Sequence, residues 1–157
     1  MKNIKLQFLL IVLIAILFSA CDTNVVFEKY NNIPQSGWHK DSLVVFSVPI
    51  TDTLQNHNLL LNIRNDIEYN YSNLWLFVNI SQPGETAVTD TFEVMLADRA
   101  GKWLGEGFGG IKTRQVPYRS SVYFPVSGEY KISIQHGMRD EILEAITDVG
   151  IRVEKAN

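Results

Sequence analysis

Short runs in which apolar and polar residues alternate, each closed by a turn signal, constrain this chain more than any other feature. Residues Glu129–Gln135 put Tyr130, Ile132 and Ile134 on one face and Lys131, Ser133 and Gln135 on the other. A period of two is the pattern of a strand with one buried face. Asp148–Glu154 repeats it with Val149, Ile151 and Val153. Further strands are predicted over Val25–Tyr30, Ser42–Val48, Asn58–Arg64, Leu74–Ser81, Asp90–Ala97 and Ser121–Phe124. Pro49, Gln82-Pro83-Gly84, Asp98-Arg99-Ala100-Gly101, Pro125 and Ser127-Gly128 separate them, which is turn chemistry. One stretch departs from the pattern. Arg139–Ile146 places Ile142, Leu143 and Ile146 at helical spacing, with acids near its start, and predicts a single short helix. About eight strands without helical crossovers predict an all-β fold, an antiparallel β-sandwich of jelly-roll type.

The only cysteine, Cys21, ends the only long apolar run. Lys2 and Lys5 open the chain, Leu6–Phe18 is apolar apart from Gln7, and Ser19-Ala20 are small. This is the layout of a secretory signal peptide. The run falls short of the roughly 20 residues a spanning helix needs. Phe18-Ser19-Ala20-Cys21 resembles the lipobox of bacterial lipoproteins, with Phe18 where leucine is usual. The resemblance implies cleavage before Cys21, diacylation of its thiol, and acylation of the new amino terminus. Each buried CH₂ adds about 0.8 kcal/mol, so two or three chains anchor a protein without a spanning helix. Cys21 is then consumed, and no thiol remains for a disulfide, a zinc site or a nucleophile. The expected organisation is a signal peptide over 1–20, a lipidated tether over 21–37 and a β-sandwich domain over 38–157.

Charge narrows the function classes. The chain has 14 basic and 17 acidic residues, and removing the leader takes two lysines and no acid. A mildly acidic domain lacks the electrostatic footprint of a nucleic-acid binder. Gly105-x-Gly107-x-x-Gly110 matches a dinucleotide-binding string, but Pro117 and no helical period follow it. It reads as a glycine-rich loop whose permissive backbone lets Trp103 and Phe108 lie flat on a neighbouring sheet. His39, His57 and His136 have no second ligand at metal spacing and read as surface or turn residues. Ser120-Ser121 lacks a nucleophile elbow. Asp140, Glu141 and Glu144 read as acids charging the start of the short helix rather than as a Ca²⁺ site.

Arg64-Asn65 with Tyr69 and Tyr71 makes a polar, aromatic connection between two strands. Two readings stand: a packed connection, or a recognition surface on a rigid scaffold. Arg139 and Arg152 are likewise either partner contacts or structural pairs of acids such as Asp148. The candidate partner-binding residues are therefore Arg64, Asn65, Tyr69, Tyr71, Trp103 and Arg139. The tryptophans raise an alternative, a glycan-binding surface lipoprotein. Trp75 sits in an apolar strand and reads as core, whereas Trp38 and Trp103 lie in loop-like contexts where a sugar face can stack.

Three segments, together with the lipobox cysteine, carry a wider resemblance: LNIRNDIEYNYSNLWLFV (61–78), GKWLGEGFGGI (101–111) and YKISIQHGMRDEILEAITDVGIRVEK (130–155). With them the chain resembles the GldH family of gliding-motility lipoproteins of the Bacteroidetes. It departs at Ile111, where an acid is expected. The resemblance implies a non-enzymatic envelope lipoprotein, a structural or assembly component of gliding motility and type IX secretion. It brings no catalytic residues. No metal is expected, and no cofactor beyond the covalent lipid on Cys21. The implied partners are the membrane, through acyl chains, and other gliding or type IX envelope proteins, with no nucleic acid and no small-molecule substrate. No acidic run follows Cys21 as a surface-export signal, so the expected position is the periplasmic face of the outer membrane.

Overall fold

The computed structural model describes residues 24–85 and 87–156. Cys21 and the signal peptide expected over 1–20 lie outside them. Among the described residues, eight long strands and two short ones pair in a nested order. β1 (Val25–Asn32) pairs with β10 (Ile146–Lys155), and β2 (Trp38–His39) with β9 (Ile142–Leu143). β3 (Val44–Ile50) pairs with β8 (Gly128–His136), β4 (His57–Asp66) with β7 (Ile111–Val122), and β5 (Asn73–Ser81) with β6 (Val88–Met95). Every pair is antiparallel. The chain is thus one long hairpin folded about the turn that follows Ser81 and then wrapped. Wrapping gives two four-stranded sheets, β1-β10-β4-β7 and β3-β8-β5-β6, which is the jelly-roll arrangement the strand pattern predicts.

The alternation does what the sequence promises. Phe46, Val48 and Ile50 of β3, Leu74, Leu76 and Val78 of β5, and Ile132 and Ile134 of β8 point inward from one sheet. Leu59, Leu61 and Ile63 of β4 and Val149, Ile151 and Val153 of β10 meet them from the other. Each such side chain contributes roughly 1.5–3 kcal/mol on burial. The sandwich flanks are closed by side chains. Asn31 Nδ2 donates to the Val45 carbonyl at 3.1 Å across the β1/β3 flank. Across the β6/β7 flank, the Tyr118 hydroxyl and the Arg119 guanidinium donate to Asp90 at 3.1 and 3.0 Å. Pro49 and Pro117 both fall on edge strands, where a missing N–H costs least.

Several expectations are corrected. Residues 25–32 form a full strand against the last one, so the folded domain begins near Val25 and the tether cannot extend to Gly37. Residues 139–146 form no helix. Ile142–Leu143 instead pairs with Trp38–His39, and Ala145 sits at a left-handed φ of 63°. Eight residues are too few for a stable isolated helix, and pairing lets Leu143 and Trp38 bury together. Of the predicted strand at 121–124, Ser121 and Val122 are the end of β7, which runs from Ile111, and Tyr123 and Phe124 lie beyond it. The charged outward residues of β7 and Pro117 hide the alternation. His57 and His136 are buried, not surface residues. Trp75, read as core, is 39% exposed because its neighbours Leu74 and Leu76 take the inward face.

The two ends of the sandwich differ. At the base lie Asn24, the β3–β4 connection (51–56), the β7–β8 connection (123–127) and the Pro83-Gly84 turn. Hydrogen bonds from Lys155 N–H to the Asn24 carbonyl (2.9 Å) and from Ala156 N–H to the Asn56 carbonyl (2.8 Å) tie the chain ends there. Pro83 packs on Gly128, leaving no room for a β-carbon. At the distal end lie the β4–β5 connection (67–72), the β6–β7 connection (96–110) and residues 137–141.

Candidate functional site

The candidate residues converge on the distal end, where five divide into two groups and Trp103 stands apart on the β6–β7 connection. Arg64 and Asn65 belong to the framework. Arg64, on the outer face of β4, stacks its guanidinium 4.2 Å from the Tyr30 ring centroid and lies 3.9 Å from Asp148. Asp148 also accepts from Asn32 Nδ2 at 2.7 Å. Asn65 is buried, and its amide donates to the Asp66 carbonyl at 2.9 Å. Arg152, expected beside Asp148, instead bonds Glu28 at 3.0 Å and Glu154 at 3.1 Å. These pairs brace the outside of the first sheet, and Arg64 and Asn65 lie within that framework.

Tyr69, Tyr71 and Arg139 form the second group. The Tyr69 ring is buried, and its hydroxyl donates to the Asn73 carbonyl at 3.1 Å, which ties the connection to the start of β5. Burial holds its phenol well above the usual ionisation range. Tyr71 meets Tyr69 edge-to-face at 5.7 Å between ring centroids. Its own hydroxyl donates to Asp140 at 2.6 Å, and this bond, more than desolvation, raises its pKa. The bond joins 67–72 to 137–141.

The segment after β8 is laid along β5. Gly137 N–H donates to the Trp75 carbonyl at 2.7 Å, and the Trp75 N–H donates to Met138 Sδ at 3.3 Å. A β-carbon on Gly137 would lie 3.1 Å from the Phe77 ring, so the glycine admits the ring over the backbone. Tyr71 consequently stands between two clefts. One, about 340 Å³, is lined by Tyr71, Asn73, Trp75, Gly137, Met138 and Arg139. The other, about 200 Å³, includes Tyr69, Asp140, Ile142 and Glu144. Arg139 is exposed at the rim of the first.

Trp103 is half-buried against the core, bridged to Ala97 across a turn built on Asp98. Asp98 Oδ1 accepts from the N–H groups of Ala100 and Lys102, both at 2.9 Å. The glycine ladder is a loop, as predicted. Gly105 and Gly107 lie so close to the Thr113 and Ile111 backbone that a β-carbon would meet carbonyl oxygens at 3.0 and 2.6 Å. Phe108 does not lie flat; it projects into solvent at the loop tip. Trp38, expected in a loop, is buried, with its indole N–H donating to the Ser42 carbonyl at 2.9 Å.

Sequence reasoning missed Trp75 and Phe77 as surface residues and Met138 as their neighbour. The signal was present: in Leu74-Trp75-Leu76-Phe77-Val78, a period of two sends the aromatics to the opposite face from the aliphatics.

The model of the family described as GldH lipoprotein matches residues 25–153, the whole run from β1 into β10. The chain belongs to the GldH lipoprotein family. It is 43% identical over 149 residues to a protein of Christiangramia forsetii named "Gliding motility lipoprotein GldH homolog", covering 90% of this chain and 91% of that one. It is 38% identical over 153 residues to the Flavobacterium johnsoniae "Gliding motility lipoprotein GldH", covering 93% and 94%. As a GldH-family lipoprotein it is a lipid-anchored protein of the cell envelope. The match covers both the Tyr71–Asp140 site and the framework beneath it.

Proposed function

We propose that this protein is a non-enzymatic assembly component of gliding motility and type IX secretion, held on the periplasmic face of the outer membrane by acyl chains on Cys21. The observation that carries the reading is the full-domain match to relatives named for gliding motility. The distal end supports it with a partner-sized surface: Trp75, Tyr71 and Met138 beside the exposed Arg139. Aromatic and arginine side chains dominate the energetics of protein interfaces. Confinement to a membrane plane raises the effective concentration of partners in that plane. The glycan-binding alternative loses its tryptophan pair, because Trp38 is buried.

The test is conditional depletion in the native host, followed by fractionation and proteomics of secreted cargo. Type IX cargo held in the periplasm supports the proposal. Intact secretion and gliding after depletion sink it. Complementation with Tyr71→Ala/Arg139→Ala then tests the surface: a stable but inactive variant is expected, and full rescue removes the distal site from the proposal.

A further inference from the structure

We propose that the base of the sandwich is seated in the lipid interface, with Leu54, Val88, Tyr123 and Val126 entering the headgroup–acyl boundary. The inference rests on acylation of Cys21 and adds to it an orientation and a contact surface. Leu54 is 92% exposed, Val88 68%, Tyr123 58% and Val126 44%. All four lie at the end where the chain enters the domain. Leu54 is on the β3–β4 connection, Tyr123 and Val126 are on the β7–β8 connection, and Val88 opens β6 beside the Pro83-Gly84 turn. Lys155 pairs with His57, and His57 pairs with Val122, so the last strand, the first residues of β4 and the last of β7 share this level.

The length of chain between lipid and domain selects the occupant. Only three residue steps separate Cys21 from Asn24, about 10 Å even when fully extended. Asn24 is itself pinned to Lys155 by the 2.9 Å bond. A lipid on Cys21 therefore brings this end, and no other, against the bilayer. The apolar side chains are held outward by the fold. Asp52 Oδ1 accepts from the N–H groups of Leu54 (2.9 Å) and Gln55 (3.3 Å), fixing the turn from which Leu54 projects. Among Tyr123, Val88, Phe124 and Tyr130 opens an apolar cleft of about 250 Å³. An amphipathic tyrosine at such a rim suits a membrane–water interface.

Charge argues for apolar seating rather than attraction to anionic lipid. Asp52, Glu85 and Glu129 lie at this end along with Lys131, Lys155 and Arg119, which lines the cleft and is paired with Asp90 at 3.0 Å, so acids offset the bases and no unopposed basic patch forms. Contact should therefore be insensitive to lipid charge and to salt.

The test uses the complete lipoprotein, purified from membranes and reconstituted into phosphatidylcholine vesicles containing nitroxide-labelled phosphatidylcholine. Leu54→Cys, Val126→Cys and, as the distal control, Phe108→Cys each carry an environment-sensitive thiol fluorophore; acylation leaves Cys21 unreactive. Flotation on a density gradient reads the anchor, and nitroxide quenching reads the seating. The expected result is flotation of all three, with quenching several-fold stronger at 54 and 126 than at 108. Replacing a third of the lipid with phosphatidylglycerol should leave it unchanged. Flotation with equal quenching at all positions overturns the seating and leaves the anchor intact. Probes at 54 and 126 that are shielded from water yet unquenched also overturn it, because a second protein copy then covers the base. Failure to float overturns both the anchor and the seating.

Discussion

At the base, six residues (51–56) and five (123–127) join the sheets; Phe124 packs into the core, while Leu54, Tyr123 and Val126 are left in solvent. At the distal end, the β6–β7 connection alone runs from residue 96 to 110, and hydrogen bonds lock one loop to the next: Tyr71 to Asp140, Tyr69 to Asn73, Gly137 to Trp75. Short connections with outward aliphatics suit a surface that has no fixed pattern to read. Cross-linked loops that hold an aromatic wall beside an arginine suit a partner of fixed shape. If both proposals hold, the same sandwich carries a non-specific end and a specific one, about as far apart as its strands are long.

The largest effect that tests this contrast is loss of the anchor. Cys21→Ser should move the protein out of the membrane fraction almost completely; a wild-type membrane fraction would break the polarity described here at its root. Next come the ends themselves. Trp38→Ala removes a buried side chain from the β2–β9 clamp and should cost about 3–5 kcal/mol of stability in urea denaturation. Tyr123→Ser, at the exposed rim, should stay within about 0.5 kcal/mol. Comparable losses at both sites would mean that the base is as tightly packed as the distal clamp. Between these two falls Gly128→Ala, expected to cost more than about 1 kcal/mol. There φ is +143° and a β-carbon would sit 2.9 Å from Pro83, so a neutral result in the same assay would show that the base turn can shift freely.

Acid sensitivity should belong to the distal end. Buried His136 donates its Nε2 hydrogen to the Trp38 carbonyl at 2.9 Å, and Nδ1 has no hydrogen-bond partner among the described residues. Desolvation lowers its pKa below the ordinary 6.5 despite that bond. The folded state therefore binds a proton less readily than the unfolded chain. Its contribution is complete above pH 6.5 and is lost as pH falls below that value. Thermal melts from pH 7.5 to 5 should show this loss, and His136→Gln should flatten it. An unchanged slope in the variant would assign the acid sensitivity elsewhere. The smallest effect is spectroscopic: Asp140→Asn should let Tyr71 ionise at lower pH in an ultraviolet titration, with no change in melting temperature.

Much of the fold was legible because strands with one wet face write their burial into the sequence. Tyr130-x-Ile132-x-Ile134 and Val149-x-Ile151-x-Val153 are inward exactly as their spacing requires, and the sandwich follows from them. β7 was not legible. Its outward residues are charged, and Pro117 suppresses the signal unless the strand is known to lie at an edge. The false helix at 139–146 had the right spacing over too short a stretch, and the pairing that overrides it comes from residues a hundred positions earlier. Of the candidate site, Tyr69, Tyr71 and Arg139 come together while Arg64 and Asn65 turn into the framework. Which arginine finds an acid depends on register: Asp148 lies opposite Arg64 across β10 and β4, and no local pattern encodes that.

The nested pairing also governs how the chain can fold. β5 and β6 are joined by a tight turn, whereas β1 waits for β10, more than a hundred residues later. Each outer pair closes a longer loop than the pair inside it, with a correspondingly larger entropy cost before contacts repay it. Zippering should therefore run outward from the Pro83-Gly84 turn, and β1, the strand nearest Cys21, should dock last. A chain delivered across a membrane amino-terminus first exposes β1 without its partner until Lys155 has emerged. During that interval the unpaired strand is open to misassociation.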